Sequence, residues 1–141
     1  MTEVTEITRD KVLRIEAEMF RMPQVELKHV DYFSKGVYAR ELHIPAGVTL
    51  TGKIHKYQNL NILSKGEMTV STDEGMKRVS APFTIVSPPG TKRVAYAHTD
   101  CIWTTIHGTD KQDVDQIELE FIAQSDTEYL EFCKQLQIAE K

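Results

Sequence analysis

The sequence predicts a mainly β fold, a barrel or sandwich carrying helical segments at both ends. Turn signals recur through the middle of the chain, at Gly36, Pro45-Ala46-Gly47, Lys65-Gly66, Glu74-Gly75 and Pro88-Pro89-Gly90. Between them lie short runs rich in β-branched and aromatic residues, each bounded by a turn. Helical periodicity is confined to the two ends. Short strands at this spacing close into a barrel or pack as a sandwich, whereas a βαβ sheet would interleave helices between them.

The first element is an amphipathic helix over 8–20, with Thr8 as N-cap and Val12, Ile15, Met19 and Phe20 as its apolar stripe. Pro23 stops it. Strands follow at 37–44, 48–56, 60–63, 68–71, 77–79, 83–86, 93–97 and 101–107. Ser64-Lys65-Gly66 and Asp73-Glu74-Gly75 read as hairpin turns in which glycine takes the positive φ. Helix returns at Asp113, with Val114, Ile117, Leu119, Phe121 and Ile122 as one stripe. After a break and N-cap at Ser125-Asp126, Tyr129, Leu130, Cys133 and Leu136 form another. The whole of 1–141 is expected to be one domain: a helical extension over 1–35, a barrel over 36–110 and helices over 111–141. The helical stripes need cover from the barrel's outer face or a second subunit, and a homodimer is expected.

Composition excludes several classes. With 40% hydrophobic and 27% charged residues the chain is neither fibrous nor disordered. Cys101 and Cys133 form no ligand pattern and no disulfide framework; they read as small buried hydrophobes. The polar start lacks a signal-peptide core and no run reaches membrane-span length, so a cytoplasmic location without membrane contact is expected. A net charge of -4 argues against nucleic-acid binding. The charge is uneven, however: residues 47–98 carry +4 and the remainder -8. A basic middle points to an anionic ligand or acidic partner there, or else to scattered solubilising lysines.

Two stretches, GVTLTGKIHKYQNLNILSKG over 47–66 and PFTIVSPPGTKR over 82–93, resemble the paired signature motifs of the cupin superfamily. Pro88-Pro89-Gly90 matches the second motif's PxG turn, and the segment closing on Gly66 matches the end of the first. The resemblance implies a cupin-type jelly-roll β-barrel with flanking helices. In metal-bearing members two histidines and a glutamate of the first motif join a histidine of the second on one divalent ion. Here His55 stands at the first of these positions, Tyr57 at the second, Asn59 at the glutamate and Arg93 at the last. That set implies no metal, no cofactor and no metal-dependent dioxygenase chemistry. It implies instead a pocket for a small polar or anionic ligand, lined by His55, Tyr57, Asn59 and Arg93, with Lys53 and Asn61 on the same face. Trp103 and His107, of one parity on the last strand, would add a stacking wall and a second polar group.

Strand parity leaves two orientations open. Thr49, Thr51, Lys53, His55 and Tyr57 share one face of a continuous strand, and Val48, Leu50 and Ile54 the other. Either the apolar face is the core side and His55 meets water, or the polar face lines a pocket. Arg93 reads equally as an internal ion-pair partner or a ligand clamp, and Trp103 as core or platform. Three functions are therefore compared: a metal-free binding module, an enzyme (a cofactor-free isomerase using His55 and Tyr57, or an atypical metalloenzyme), and a structural protein whose acidic helices make the contacts.

Overall fold

A computed structural model describes residues 9–140, so the expected N-cap at Thr8 lies outside the described residues. The elements in chain order are α1 (Arg9–Met19), β1 (Lys28–Ser34), β2 (Val37–Ile44), β3 (Thr49–Thr51), β4 (Ile54–His55), β5 (Asn59–Lys65), β6 (Glu67–Thr72), β7 (Gly75–Ser80), β8 (Phe83–Ser87), β9 (Val94–Ala97), β10 (Cys101–His107), α2 (Val114–Phe121), β11 (Ile122–Ala123) and α3 (Asp126–Glu140). No helix among the described residues is long and apolar enough to cross a membrane.

The strands form two antiparallel sheets, one in the order β1-β2-β10-β5-β8 and the other β3-β9-β6-β7, with β4 and β11 making a separate pair. Apolar side chains meet between the sheets: Ile44, Leu63, Met68, Val70, Ala97 and Cys101 are each at most 2% exposed. Burying a side chain of the size of Leu63 or Met68 stabilises the fold by about 2 kcal/mol. The chain crosses between sheets at Gly66, whose φ is 93°. A Cβ there would collide with the carbonyl of Asp100 and sit 2.7 Å from Cys101 Sγ. Ser64-Lys65-Gly66 is therefore a corner rather than the expected hairpin, since β5 and β6 belong to different sheets. Asp73-Glu74-Gly75 is a hairpin, joining β6 to β7 with Thr72 opposite Gly75.

Several elements differ from the sequence reading; of the stripes expected on α2 and α3, Leu119, Leu130 and Leu136 are exposed. Residues 28–34, assigned to a helical extension, form the edge strand β1 paired along β2. Its side chains are mostly exposed, so it carries little hydrophobic alternation to read. The strand expected over 48–56 is broken at Gly52-Lys53 into β3 and β4. On α1 only Val12 of the expected stripe is buried, while Ile15 and Phe20 are 39% and 68% exposed.

The helices dock on their own barrel. Ile117 and Phe121 of α2 bury against Tyr38. Asp113 caps α2, accepting from the amides of Asp115 and Gln116. Ser125 Oγ accepts the Glu128 amide 3.1 Å away as α3 begins, and Glu128 Oε2 accepts the Gln124 amide at 3.0 Å. The Pro88-Pro89-Gly90 turn receives α1 and α3 together. Arg9 donates to the Gly90 carbonyl, pairs with Asp126 and lies 4.7 Å over the Tyr129 ring.

Candidate functional site

A cavity of about 900 Å³ opens between the two sheets, its mouth flanked by α1 and α2. Cross-strand register arranges its wall in rows. One row runs Leu42–Trp103–Leu63–Phe83 across β2, β10, β5 and β8, and the row beside it holds Ile44 and Cys101. Moving along the strands, the next row reads Arg40–Thr105–Asn61, and after it come Tyr38–His107 and Asn59–Ser87. The opposite sheet repeats the gradient: Ala97 pairs with Met68 and Ala95 with Val70, and Arg93 stands just beyond Val94. The wall is apolar at one end and polar at the other. Alternation within a strand selects the inward residues, and the gradient along the strands is written in those residues alone.

Asn61 organises the polar end. It is 4% exposed and uses its whole hydrogen-bonding capacity. Its amide nitrogen donates to Asn59 Oδ1 at 2.9 Å and Ser87 Oγ at 2.8 Å; its oxygen accepts from Trp103 Nε1 at 3.2 Å and Thr105 Oγ1 at 2.8 Å. Arg93 uses three N–H groups, two on Ser87 Oγ (3.3 and 2.9 Å) and one on the Ser71 carbonyl at 2.7 Å. It has no carboxylate ion partner among the described residues. Burial lowers its pKa while the charge of Asp73 raises it, and the guanidinium stays charged. Ser87 Oγ thus accepts from both Asn61 and Arg93, and its own proton is free to be donated.

His55 and His107 form a pair beside this network. Their rings stack with centroids 5.0 Å apart, and His55 Nδ1 lies 3.1 Å from His107 Nε2. Burial is the main cause that lowers both pKa values, His55 to about 3 and His107 to about 4; the charges of His107, Lys53, Arg40 and Arg93 push His55 further down. Both rings are therefore neutral at pH 7. Nδ1 of His107 is buried without a partner. An orphaned bare nitrogen costs less there than an orphaned N–H, so His107 donates from Nε2 and His55 keeps its proton on Nε2.

The basic middle of the chain meets its acids inside the molecule. Lys53 pairs with Glu118 of α2 at 2.6 Å, Lys92 with Glu16 of α1 at 2.8 Å, and Lys56 with Glu128 of α3 at 3.7 Å. Glu118 also lies 3.7 Å from Arg40. The acidic partner for these lysines is the chain's own helices. Arg93 remains as a partly buried cation of the cavity without a carboxylate on it.

Of the residues singled out from the sequence, His55, Asn59, Asn61, Lys53, Arg93, Trp103 and His107 all line the cavity. Tyr57 does not. Its ring packs edge-on to Phe121 and Phe132, at 5.5 and 5.4 Å, under the C-terminal helices. The physical reason is the bend at Lys56-Tyr57, where β4 has ended, which takes Tyr57 off the face that His55 occupies; the earlier break at Gly52-Lys53 resets the alternation between Leu50 and His55. Leu50 packs on the core and His55 also faces inward, so neither orientation holds along the whole segment. The partner of His55 is consequently His107, contributed by β10, and no His55–Tyr57 pair forms. Ser87, Arg40 and Thr105 also line the cavity and were not selected from sequence; inward parity on β8, β2 and β10 was the signal available for them. Cys101 is buried as expected, whereas Cys133 is only partly so, and both are free thiols.

A four-ligand metal centre of the kind the motifs imply does not fit these side chains. Tyr57 points elsewhere, Arg93 brings a positive charge, and His55 Nδ1 is engaged by His107. Among the described residues no group of three or more His, Cys, Asp or Glu is placed to hold an ion.

No protein-family model and no curated protein matches the chain by sequence. Solved structures do match. KdgF from Halomonas sp. superposes with a TM-score of 0.54 at 15% identity, over 66% of this chain and 90% of that one. A cupin superfamily protein from Desulfitobacterium hafniense gives 0.51 at 11% identity, over 67% and 87%. An RmlC-like cupin from Shewanella frigidimarina gives 0.51 at 19% identity, over 63% and 80%. Two facing antiparallel sheets, flanking helices and these superpositions lead to one structural conclusion: the chain has the cupin fold, a jelly-roll β-barrel.

Proposed function

We propose that this protein is a binding module that takes a small polar or anionic molecule into its barrel without a metal. One observation carries the reading. The cavity holds a partly buried guanidinium whose partners are a hydroxyl and a carbonyl, with N–H groups left to donate. Beside it the Ser87 hydroxyl and the His55 Nε2–H are further free donors, while Asn61, an amide that could have served either sign of partner, is fully engaged. A site rich in donors suits a ligand group that only accepts. The size of the cavity, about 900 Å³, suits a small molecule.

The histidine pair lends the enzyme alternative less support. A general acid–base pair works best with pKa values near the working pH. Those of His55 and His107, about 3 and about 4, lie far below neutrality.

The test is a thermal-shift screen of nucleotides, sugar phosphates and carboxylates, run beside elemental analysis of the purified protein. A bound anion at a hundred times its Kd should add about 2.7 kcal/mol of apparent stability, lost in Arg93→Gln. Stoichiometric Fe, Mn, Ni or Zn, or no shift with any anion, would overturn the reading.

A further inference from the structure

The cavity wall is graded as well as charged, and the grading narrows the ligand. Along the inward-facing strand rows its donors lie at one end only. At the other end Leu42, Ile44, Leu50, Met68 and Ala95 line the same cavity and present no polar side-chain atom. Trp103 stands between the two, with its indole N–H engaged by Asn61 and its ring beside the apolar row. On the open side α1 lays Leu13 and Met19 over the cavity. A ligand polar all over, such as a sugar phosphate, would strip water from its hydroxyls against this wall and find nothing there to bond. A compact inorganic anion would leave the apolar half unfilled.

We infer that the ligand is a monocarboxylate with an apolar body, its carboxylate held by Arg93, Ser87 and His55 and its chain or ring lying along the partly exposed Leu42, Leu50 and Trp103. The guanidinium offers two unused N–H groups of its five, and charged N–H donors suit a carboxylate. This inference rests on the binding reading above and adds the apolar half of the ligand to it.

The experiment is calorimetric titration of the full chain with butanoate, hexanoate and octanoate below their micellar concentrations. Octan-1-ol, succinate and glucose 6-phosphate are the comparison ligands. Binding at one molecule per chain should tighten about fourfold for each added methylene, as burial of the chain in an apolar wall requires. Octan-1-ol should bind at least tenfold more weakly than octanoate. In Leu42→Asn the gain per methylene should shrink. Arg93 also supports the Ser71 carbonyl, so wild-type chain-length dependence is the primary readout and Arg93→Gln the secondary one. If succinate or glucose 6-phosphate binds and the alkanoates show no dependence on length, the monocarboxylate inference fails while the anion-binding barrel stands. If no anion of either set binds, both fail together.

Discussion

Asn61 joins Asn59, Ser87, Trp103 and Thr105 through one carboxamide, so its removal takes a partner from four polar groups at once and leaves only Ser87 Oγ with another, Arg93. Asn61→Ala should cost about 3 kcal/mol, read as a shift in denaturant midpoint at unchanged slope. Ligand affinity should fall with it, because Ser87 and through it Arg93 lose their support. The histidine pair makes a second prediction at this scale. Both pKa values fall on folding, so between the ordinary value of about 6.5 and their depressed values the unfolded chain binds more protons than the folded one. Their contribution is complete above pH 6.5 and is lost as pH falls toward 4. The slope approaches about 1.4 kcal/mol per pH unit for each histidine that titrates only when unfolded. The double variant His55→Phe/His107→Phe should flatten stability against pH over that window, measured by urea unfolding at pH 4.5 to 7. An unchanged slope would show that these rings are not the groups titrating.

Among the elements, α1 is held over the cavity by a small buried clasp. Glu16 Oε2 accepts from Thr51 Oγ1 at 2.5 Å and from Lys92 Nζ at 2.8 Å, and Lys92 also donates to the Gly52 carbonyl at 2.8 Å. The Lys92 side chain is 7% exposed, so breaking the pair leaves a charge with little water around it. Glu16→Ala should cost about 3 kcal/mol and raise hydrogen exchange in 9–19 well before the sheets are affected. Exchange that rises uniformly through the barrel would contradict a local role for the clasp. The same contact sets Leu13 and Met19 above the cavity, so the helix closes the site that the strands build.

For the molecule as a whole, the five-stranded sheet turns a second apolar surface outward. Leu60, Ile62, Ile102 and Ile106, of opposite parity to the cavity residues, are only partly buried, and Val86 is 51% exposed. This face is where the homodimer expected from the sequence would form. Light scattering should then give twice the chain mass of 16.1 kDa, and Ile106→Glu should return a monomer with the fold intact by circular dichroism. A monomer in the unmodified protein would leave the apolar face as ordinary surface.

The barrel and its helical ends were legible in the sequence because they rest on local rules. Turn residues, strand alternation and the Ser125-Asp126 break are each read within a few positions, and β2 and β10 span the residues predicted for them. The likeness to the cupin motifs also placed His55, Asn59 and Arg93 on one cavity. What the sequence could not determine was long-range. Tyr57 left the site because the chain bends at Lys56-Tyr57, just where β4 ends after pairing with β11 from the C-terminal region. Likewise His107 met His55, and the lysines of the middle met Glu16, Glu118 and Glu128, across separations that no spacing pattern records. Local geometry chooses which face of a strand a side chain occupies; only the packing of distant strands and helices decides what it faces.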